Sequence, residues 1–450
     1  MTRKISIFLG ILLFLLLGSS IILASEELTL EESIKIALDK SLSIYSAQEE
    51  IKAKEFEELS TKADFLPKLS TSYTYTRLDN DTVNDATYTT YPYPSFSPRK
   101  VSPLDTNTYQ FNITVAQPLF TGWRLTILRE IASLGVDTAK IQKETAIQDL
   151  VLNVKAAYFG ILKAEKLENV AKQAVEQLKA NLGVSQAFYD EGIIAKNALL
   201  QTEVQMAQAR QNLIKAKNGV EITKSLFNKF LRRELNQGVK IKDILDYYPI
   251  RLLLDQCMEK AGQNRPEIKE VSLNVMSAEK AIGLSKSSYY PSVTLIGNYQ
   301  RETDDILLDS SPGEDPDNWT ITLKGEWTFW EWRKKRHDVA AARAKLAKAN
   351  YILNEIKDNI QLEVKAAYLS LREAEKNIQV AKKAVVQAEE NFRMNEERYK
   401  QQVATSTDVL DALTLLTQAR TNYFNALSEH NISWARLERA MGVGYNAESK

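Results

Sequence analysis

A chain of 450 residues that is 44% apolar and 26% charged has material for a sizeable core, which excludes a disordered, collagen-like or disulfide-stapled peptide. Its 58 basic and 58 acidic residues cancel, so no bulk positive field recruits nucleic acid. One cysteine, Cys257, and two histidines, His337 and His430, exclude an internal disulfide and argue against a zinc or copper centre built from such ligands.

The chain begins with Arg3 and Lys4, an apolar run from Ile5 to Leu23, and small residues at Ala24 and Ser25. Residues 1–24 read as a signal peptide for export. An uncleaved anchor is the alternative, because the run is long and Ile22 suits the cleavage site poorly. No later stretch approaches the ~20 consecutive apolar residues of a spanning helix.

Residues 25–235 form a first repeat. A leading helix breaks at Asp64-Phe65-Leu66-Pro67, strands about 68–77 and 108–119 flank a Pro-rich loop, and long helices about 125–190 and 194–231 follow. Residues 236–264 are a connector, in which Cys257 reads as a small buried hydrophobe. A second repeat, 265–442, breaks at Ser288-Tyr289-Tyr290-Pro291, with strands about 292–301 and 318–329 and helices about 334–401 and 406–441. Residues 443–450 are a tail.

The two halves are related by fixed offsets. Val154-Lys155-Ala156-Ala157-Tyr158 recurs 210 places later as Val364-Lys365-Ala366-Ala367-Tyr368, and the same offset joins Tyr189 to Tyr399 and Ala209-Arg210 to Ala419-Arg420. In the second copy Val364, Ala367, Leu371, Ala374, Ile378, Ala381, Val385, Ala388 and Phe392 alternate steps of three and four. That is a coiled-coil seam. The first copy repeats it through Val154, Ala157, Ile161 and Ala164 to Ala171, Val175, Leu178 and Leu182, departing at Glu168. Each outgoing segment, 64 or 68 residues if helical, reaches ~100 Å at 1.5 Å per residue. His430 falls on the seam of the last helix as a packing residue, and His337 lies in a basic run, Arg333 to Arg336, that is either plainly solvated or meets lipid headgroups.

All four strands alternate in one sense, as in Leu69, Thr71, Tyr73 and Tyr75 against Ser70, Ser72, Thr74 and Thr76. Ten tilted residues cover about the ~25 Å apolar band of a membrane barrel, and Tyr73, Tyr75, Tyr109, Trp319, Trp327 and Trp330 are candidates for its interfacial girdle. Four strands cannot close. A barrel with a wet lumen then asks for twelve strands from a homotrimer, with four helices per protomer continuing as a hollow cylinder. A soluble sandwich explains the strands alone and a scaffolding coiled coil the helices alone. The fold class is thus mainly α with a small β part: long antiparallel coiled-coil helices forming an α-barrel, plus four strands per protomer in a trimeric twelve-stranded β-barrel.

Pro118-Leu119-Phe120-Thr121-Gly122, the Tyr189-Asp190-Glu191-Gly192 turn and Ser406-Thr407-Asp408-Val409-Leu410-Asp411-Ala412 resemble the TolC-like outer membrane efflux family over roughly Leu28 to Gly442. The resemblance implies a trimeric outer-membrane channel-tunnel extending into the periplasm. It would be the exit duct of a tripartite efflux or type I secretion system, working with a periplasmic membrane-fusion adaptor and an inner-membrane efflux pump or ABC exporter. A periplasmic coiled-coil tether without transport is the alternative. No nucleic acid, cofactor, metal or catalytic residue is expected, since no Walker loop, His-Glu-x-x-His, Gly-x-Ser-x-Gly or Cys-x-x-Cys occurs.

The same resemblance implies that Asp408 and Asp411 ring a periplasmic constriction and that Tyr399 makes closing contacts. It also makes Gly192, Ile193, Asn197, Gln402, Val403 and Thr407 partner-docking tips. The first copy has Ala198 and Gln201 at the aspartate positions, so charge at the mouth comes from the second hairpin. Ala404 replaces the arginine of the family's lock, and Gln402 stands where the first copy has Gly192. Without glycine's tolerance of positive φ, a different geometry is open to the second turn.

Overall fold

The computed structural model describes residues 27–78, 107–309 and 315–443; the expected signal peptide, the expected Pro-rich loop and most of the expected tail lie outside them. Within the described residues are α1 (Leu30–Lys40), α2 (Leu42–Ala63), β1 (Lys68–Arg77), β2 (Asn107–Phe120), α3 (Arg124–Asp190) and α4 (Lys196–Phe230). The second half supplies α5 (Leu254–Asn264), α6 (Pro266–Ser287), β3 (Ser292–Thr303), β4 (Asp317–Glu326), α7 (Lys334–Lys400) and α8 (Ser406–Ala440). None of these helices is long and apolar enough to cross a membrane. The expected fourth strand is three residues too long, because Trp327 and Trp330 fall in the segment after β4, and α4 starts two residues later than expected.

The chain divides into two compact units, each drawing on both repeats. One takes the described parts of Ala47–Gln142 and Glu267–Glu355. Its centre is an antiparallel sheet in the order β1-β2-β3-β4. Residues paired across antiparallel strands share a face, so the register tests the alternation directly. Leu69, Val115, Gly297 and Ile321 stand in one row and Thr71, Ile113, Tyr299 and Trp319 in the next. Ser70, Thr114, Asn298 and Thr320 share the other face, where the Thr114 hydroxyl donates to Asn298 at 2.9 Å. One face is mainly apolar and the other mainly polar across all four strands, with Ala116, Pro118 and Ile296 the exceptions on the polar side. Strands β1 and β4 are exposed along their whole length and pair on one side only.

Each strand-to-helix corner uses two consecutive residues of left-handed backbone. In the first repeat these are Gly122 (φ 62°) and Trp123 (φ 65°); in the second they are Trp332 (φ 44°) and Arg333 (φ 68°). Gly122 is required twice over, since a Cβ there would lie 2.5 Å from the Ser287 carbonyl oxygen.

The second unit takes the described parts of Met1–Ser46, Lys143–Pro266 and Ile356–Lys450. Ile34, Ala37, Val154, Tyr158, Ile161, Phe227 and Leu231 form its main core. The doubled Ala-Ala-Tyr motif anchors the connector: the Tyr158 hydroxyl donates to the Lys242 carbonyl at 2.7 Å and the Tyr368 hydroxyl to that of Leu252 at 3.3 Å. In α7 the expected seam is buried at Val364, Leu371, Ala374, Ile378, Ala381 and Ala388. In α3 it moves by one residue past Glu168, burying Val170, Ala174, Leu178, Asn181 and Ser185 instead of Ala171, Val175 and Leu182. A helix of 3.6 residues per turn drifts against a strict heptad, and Glu168 is half-buried where the seam shifts.

Candidate functional site

At the far end of the two hairpins the chain turns twice, and both turns have the same backbone. The Gly192 N–H donates to the Tyr189 carbonyl and those of Ile193 and Ile194 to Phe188; the Gln402 N–H donates to Tyr399 and those of Val403 and Ala404 to Arg398. Gly192 has φ 73° and Gln402 φ 61°. The different geometry left open for the second turn is therefore corrected: three equivalent bonds hold glutamine in the left-handed region that glycine occupies in the first. Ile193 and Val403 stand exposed at the two apices, with Gly192, Asn197, Gln402 and Thr407 exposed beside them.

Below the apices the hairpins are joined by two buried hydroxyl pairs. Ser185 on α3 meets the Tyr399 hydroxyl on α7 at 2.9 Å, and Thr202 on α4 meets Ser406 on α8 at 2.9 Å. Thr202 also donates to the Ala198 carbonyl, so the Ser406 hydroxyl is the donor of the second pair. The Tyr399 ring lies edge-on to Phe188 at 5.4 Å and the residue is only 3% exposed. These contacts are thus internal to one chain. Leu178, Met206, Leu410 and Leu413 form the apolar layer next to them, and Arg420 ties Glu389 on α7 (2.8 Å) to Gln173 on α3 (2.7 Å).

Asp408 and Asp411 are both exposed on α8, facing away from Val409, Leu410, Ala412 and Leu413. They are not equivalent. Asp408 closes a capping box: its carboxylate accepts from the Thr405 N–H (2.8 Å) and hydroxyl (2.7 Å), while its own N–H donates to Thr405 Oγ1. Those bonds, chiefly the Thr405 N–H, hold the Asp408 carboxyl below the usual carboxylate range. Asp411 is the freer charge of the pair.

The girdle candidates separate to the two ends of the sheet. Tyr73, Tyr75, Tyr109 and Trp319 lie toward the loop end, with Tyr75 stacked on Tyr109 at 4.9 Å. Trp327 and Trp330 lie at the helix end, joined there by rings the sequence reading missed: Phe120, Trp123, Tyr290, Phe329 and Trp332. The hydroxyl pairs were missed too, although Ser185 continues the three-four spacing of the shifted α3 seam.

The two histidines and the cysteine take the expected places. His430 is buried against Tyr247, neither ring nitrogen hydrogen-bonded among the described residues, and burial lowers its pKa. His337 is exposed on α7, and Cys257 is a buried free thiol in α5. Among the described residues no group of His, Cys, Asp or Glu has the arrangement to hold a metal ion.

The family model described as outer membrane efflux protein matches residues 33–224 and 257–443. The outer membrane protein TolC of Escherichia coli (strain K12) is 22% identical over 367 residues, spanning 77% of this chain and 71% of that protein. Among solved structures, the CmeC outer membrane channel of Campylobacter jejuni superposes with TM-score 0.77 at 15% identity, covering 94% of this chain and 87% of that one. The outer membrane protein VceC of Vibrio cholerae gives 0.76 at 16% identity, covering 93% and 97%. At such identities the superpositions speak for the fold.

Proposed function

This chain belongs to the outer membrane efflux protein family, and from that premise we propose that three copies close their sheets into one twelve-stranded barrel. The protein is an outer-membrane exit duct for an efflux system, with a tunnel reaching into the periplasm. The observation that carries the trimer is the sheet itself: one apolar face, one polar face, and two edge strands that pair on one side only. In lipid each unpaired edge group costs several kcal/mol, so the edges must find partners, and identical chains supply them in register. The helices support the same assembly, for Leu200, Val204, Ile214 and Ile222 on α4 and Leu362, Leu369, Val380 and Met394 on α7 leave apolar stripes uncovered.

The members of this family act as channels, and we take this chain to be a passive conduit without catalysis. The exposed apices, Gly192 to Asn197 and Gln402 to Thr407, are the surfaces offered to a periplasmic adaptor, with an inner-membrane pump or ABC exporter behind it. Asp408 and Asp411, tripled by symmetry, put six carboxylates around the opening. At ~10 Å each pair interacts by about 0.4 kcal/mol in water and about 1.7 at an effective dielectric of 20, so cations are favoured. Tyr399 opposes opening from inside each protomer.

Purified protein added to planar bilayers should conduct and should run as a heat-resistant trimer. A monomer that still spans lipid, or an oligomer that passes no current, overturns the reading in favour of a tether. The charge ring is tested with Asp408→Asn/Asp411→Asn, which keeps acceptors for the Thr405 cap. Unchanged cation over anion selectivity removes the ring.

A further inference from the structure

At the helix end of the sheet, exposed rings and unpaired cations share one surface. Trp327, Phe329, Trp330 and Trp332 are all exposed, with Trp330 and Trp332 5.7 Å apart. The segment is pinned from beneath: Trp327 Nε1 donates to the Tyr289 carbonyl at 3.0 Å, and the Lys335 ammonium donates to the Thr328 carbonyl and lies over the Tyr289 ring. Lys335 is 8% exposed and so is spent on the scaffold. Lys334 is paired with Asp338 at 3.3 Å. Arg333 and Arg336 are exposed and have no ion-pair partner among the described residues.

Two features say that this surface serves something outside the protomer. Trp332 and Arg333 both sit in left-handed backbone, where the equivalent first position in the other repeat is Gly122. Trp332 is 84% exposed, so inside the chain its ring gains only an edge-on contact with Trp330 in return for that strain. Arg333 to Arg336 also crowd four cations onto the start of α7, the positive end of its dipole, where external anions relieve the repulsion. The loop end of the sheet carries the opposite charge, with Asp304, Asp305, Asp315 and Asp317.

We propose that this belt binds the headgroups of anionic phospholipids in the leaflet nearest the helices, indoles lying among the glycerol backbones and Arg333 and Arg336 on the phosphates. The proposal rests on reading the sheet as a barrel wall. Indole rings favour the boundary between hydrocarbon and water, and guanidinium groups hold phosphate by two parallel bonds. A docked acidic protein would need the cations but not a row of exposed rings.

The test uses full-length trimer in nonionic detergent, titrated with phosphatidylglycerol, phosphatidylcholine or soluble glycerol phosphate, with bound molecules counted by native mass spectrometry. Wild type should prefer phosphatidylglycerol and retain no glycerol phosphate, and the preference should fall about fivefold for each cation lost in Arg333→Gln and Arg336→Gln. Trp332→Gly should bind both lipids more weakly while melting at a higher temperature, because the strain is relieved. Equal binding of the two lipids by wild type, an unchanged preference in the double arginine variant, or glycerol phosphate binding as well as the lipid overturns the proposal. Conductance in the same preparation separates the two readings: a conducting trimer without lipid preference sinks only the lipid site, and a protein that never conducts sinks the duct.

Discussion

The two hairpins have equal lengths, 67 and 35 residues in each, and the same turn backbone, yet they bury different faces. Val170 on α3 is 5% exposed, while Val380, its counterpart 210 places on, is 69% exposed on α7. Among the return helices the contrast reverses, for α8 buries fourteen residues and α4 seven. Helices α3 and α8 are therefore the more buried pair, while α4 and α7 leave apolar stripes exposed. Duplication has preserved the backbone, whereas packing has redistributed the burial.

The corner glycine offers the hardest test of that preserved backbone. Gly122→Ala places a Cβ 2.5 Å from the Ser287 carbonyl oxygen and 2.9 Å from Tyr290 Cβ, in addition to the cost of φ 62°. It should destabilise the unit by about 3 kcal/mol, visible as a large drop in the melting temperature of the oligomer. Trp332→Ala at the equivalent corner should change the melting temperature little. A comparable loss in Trp332→Ala would mean that the tryptophan ring itself stabilises its corner.

A smaller effect is expected at the tip. Tyr399→Phe strands the buried Ser185 hydroxyl and should cost about 1–2 kcal/mol. Tyr189, the counterpart, makes no side-chain hydrogen bond among the described residues, so Tyr189→Phe should be neutral. Hydrogen exchange across residues 396–406 reads the difference. Faster exchange in Tyr399→Phe alone supports an internal latch, and identical profiles dismiss it.

His430 sharpens the comparison through pH, since Val220 holds the equivalent buried place. Burial disfavours the charged imidazole and lowers its pKa, against a smaller opposing pull from Glu375. Above pH 6.5 the neutral ring fits. As pH falls below 6.5 the unfolded chain takes up a proton that the folded chain refuses, so stability declines by at most about 1.4 kcal/mol per pH unit until the lower folded pKa is reached. His430→Val should abolish that slope. Melting curves between pH 5 and 7 that stay parallel for the two proteins would refute it.

Much of this was legible in the residues. The strand parity, the doubled motifs and the long seams follow from periods of two and three and a half, which burial enforces along a whole element. The exposed tips and the packing histidine followed as well. What escaped depends on contacts between distant segments. No local pattern pairs Ser185 with Tyr399, or shows that Asp408 is spent on a cap while Asp411 makes no side-chain hydrogen bond among the described residues. The end of β4 was misplaced because Trp327 continues the apolar alternation although the ladder stops at Glu326.

The smallest expected effect bears most directly on the turns. Gln402 holds φ 61° with the same three backbone bonds that surround Gly192, so the two turns differ in the intrinsic cost of a side chain in left-handed backbone. Nothing lies within 4 Å of a Cβ built on Gly192, so sterics add nothing there. Gln402→Gly should therefore stabilise the second tip by about 0.5–1 kcal/mol, and Gly192→Ala should weaken the first by a similar amount. If Gln402→Gly instead loosens the tip in hydrogen exchange, the glutamine side chain contributes something beyond the backbone. The equivalence of the two turns would then hold for geometry but not for energy.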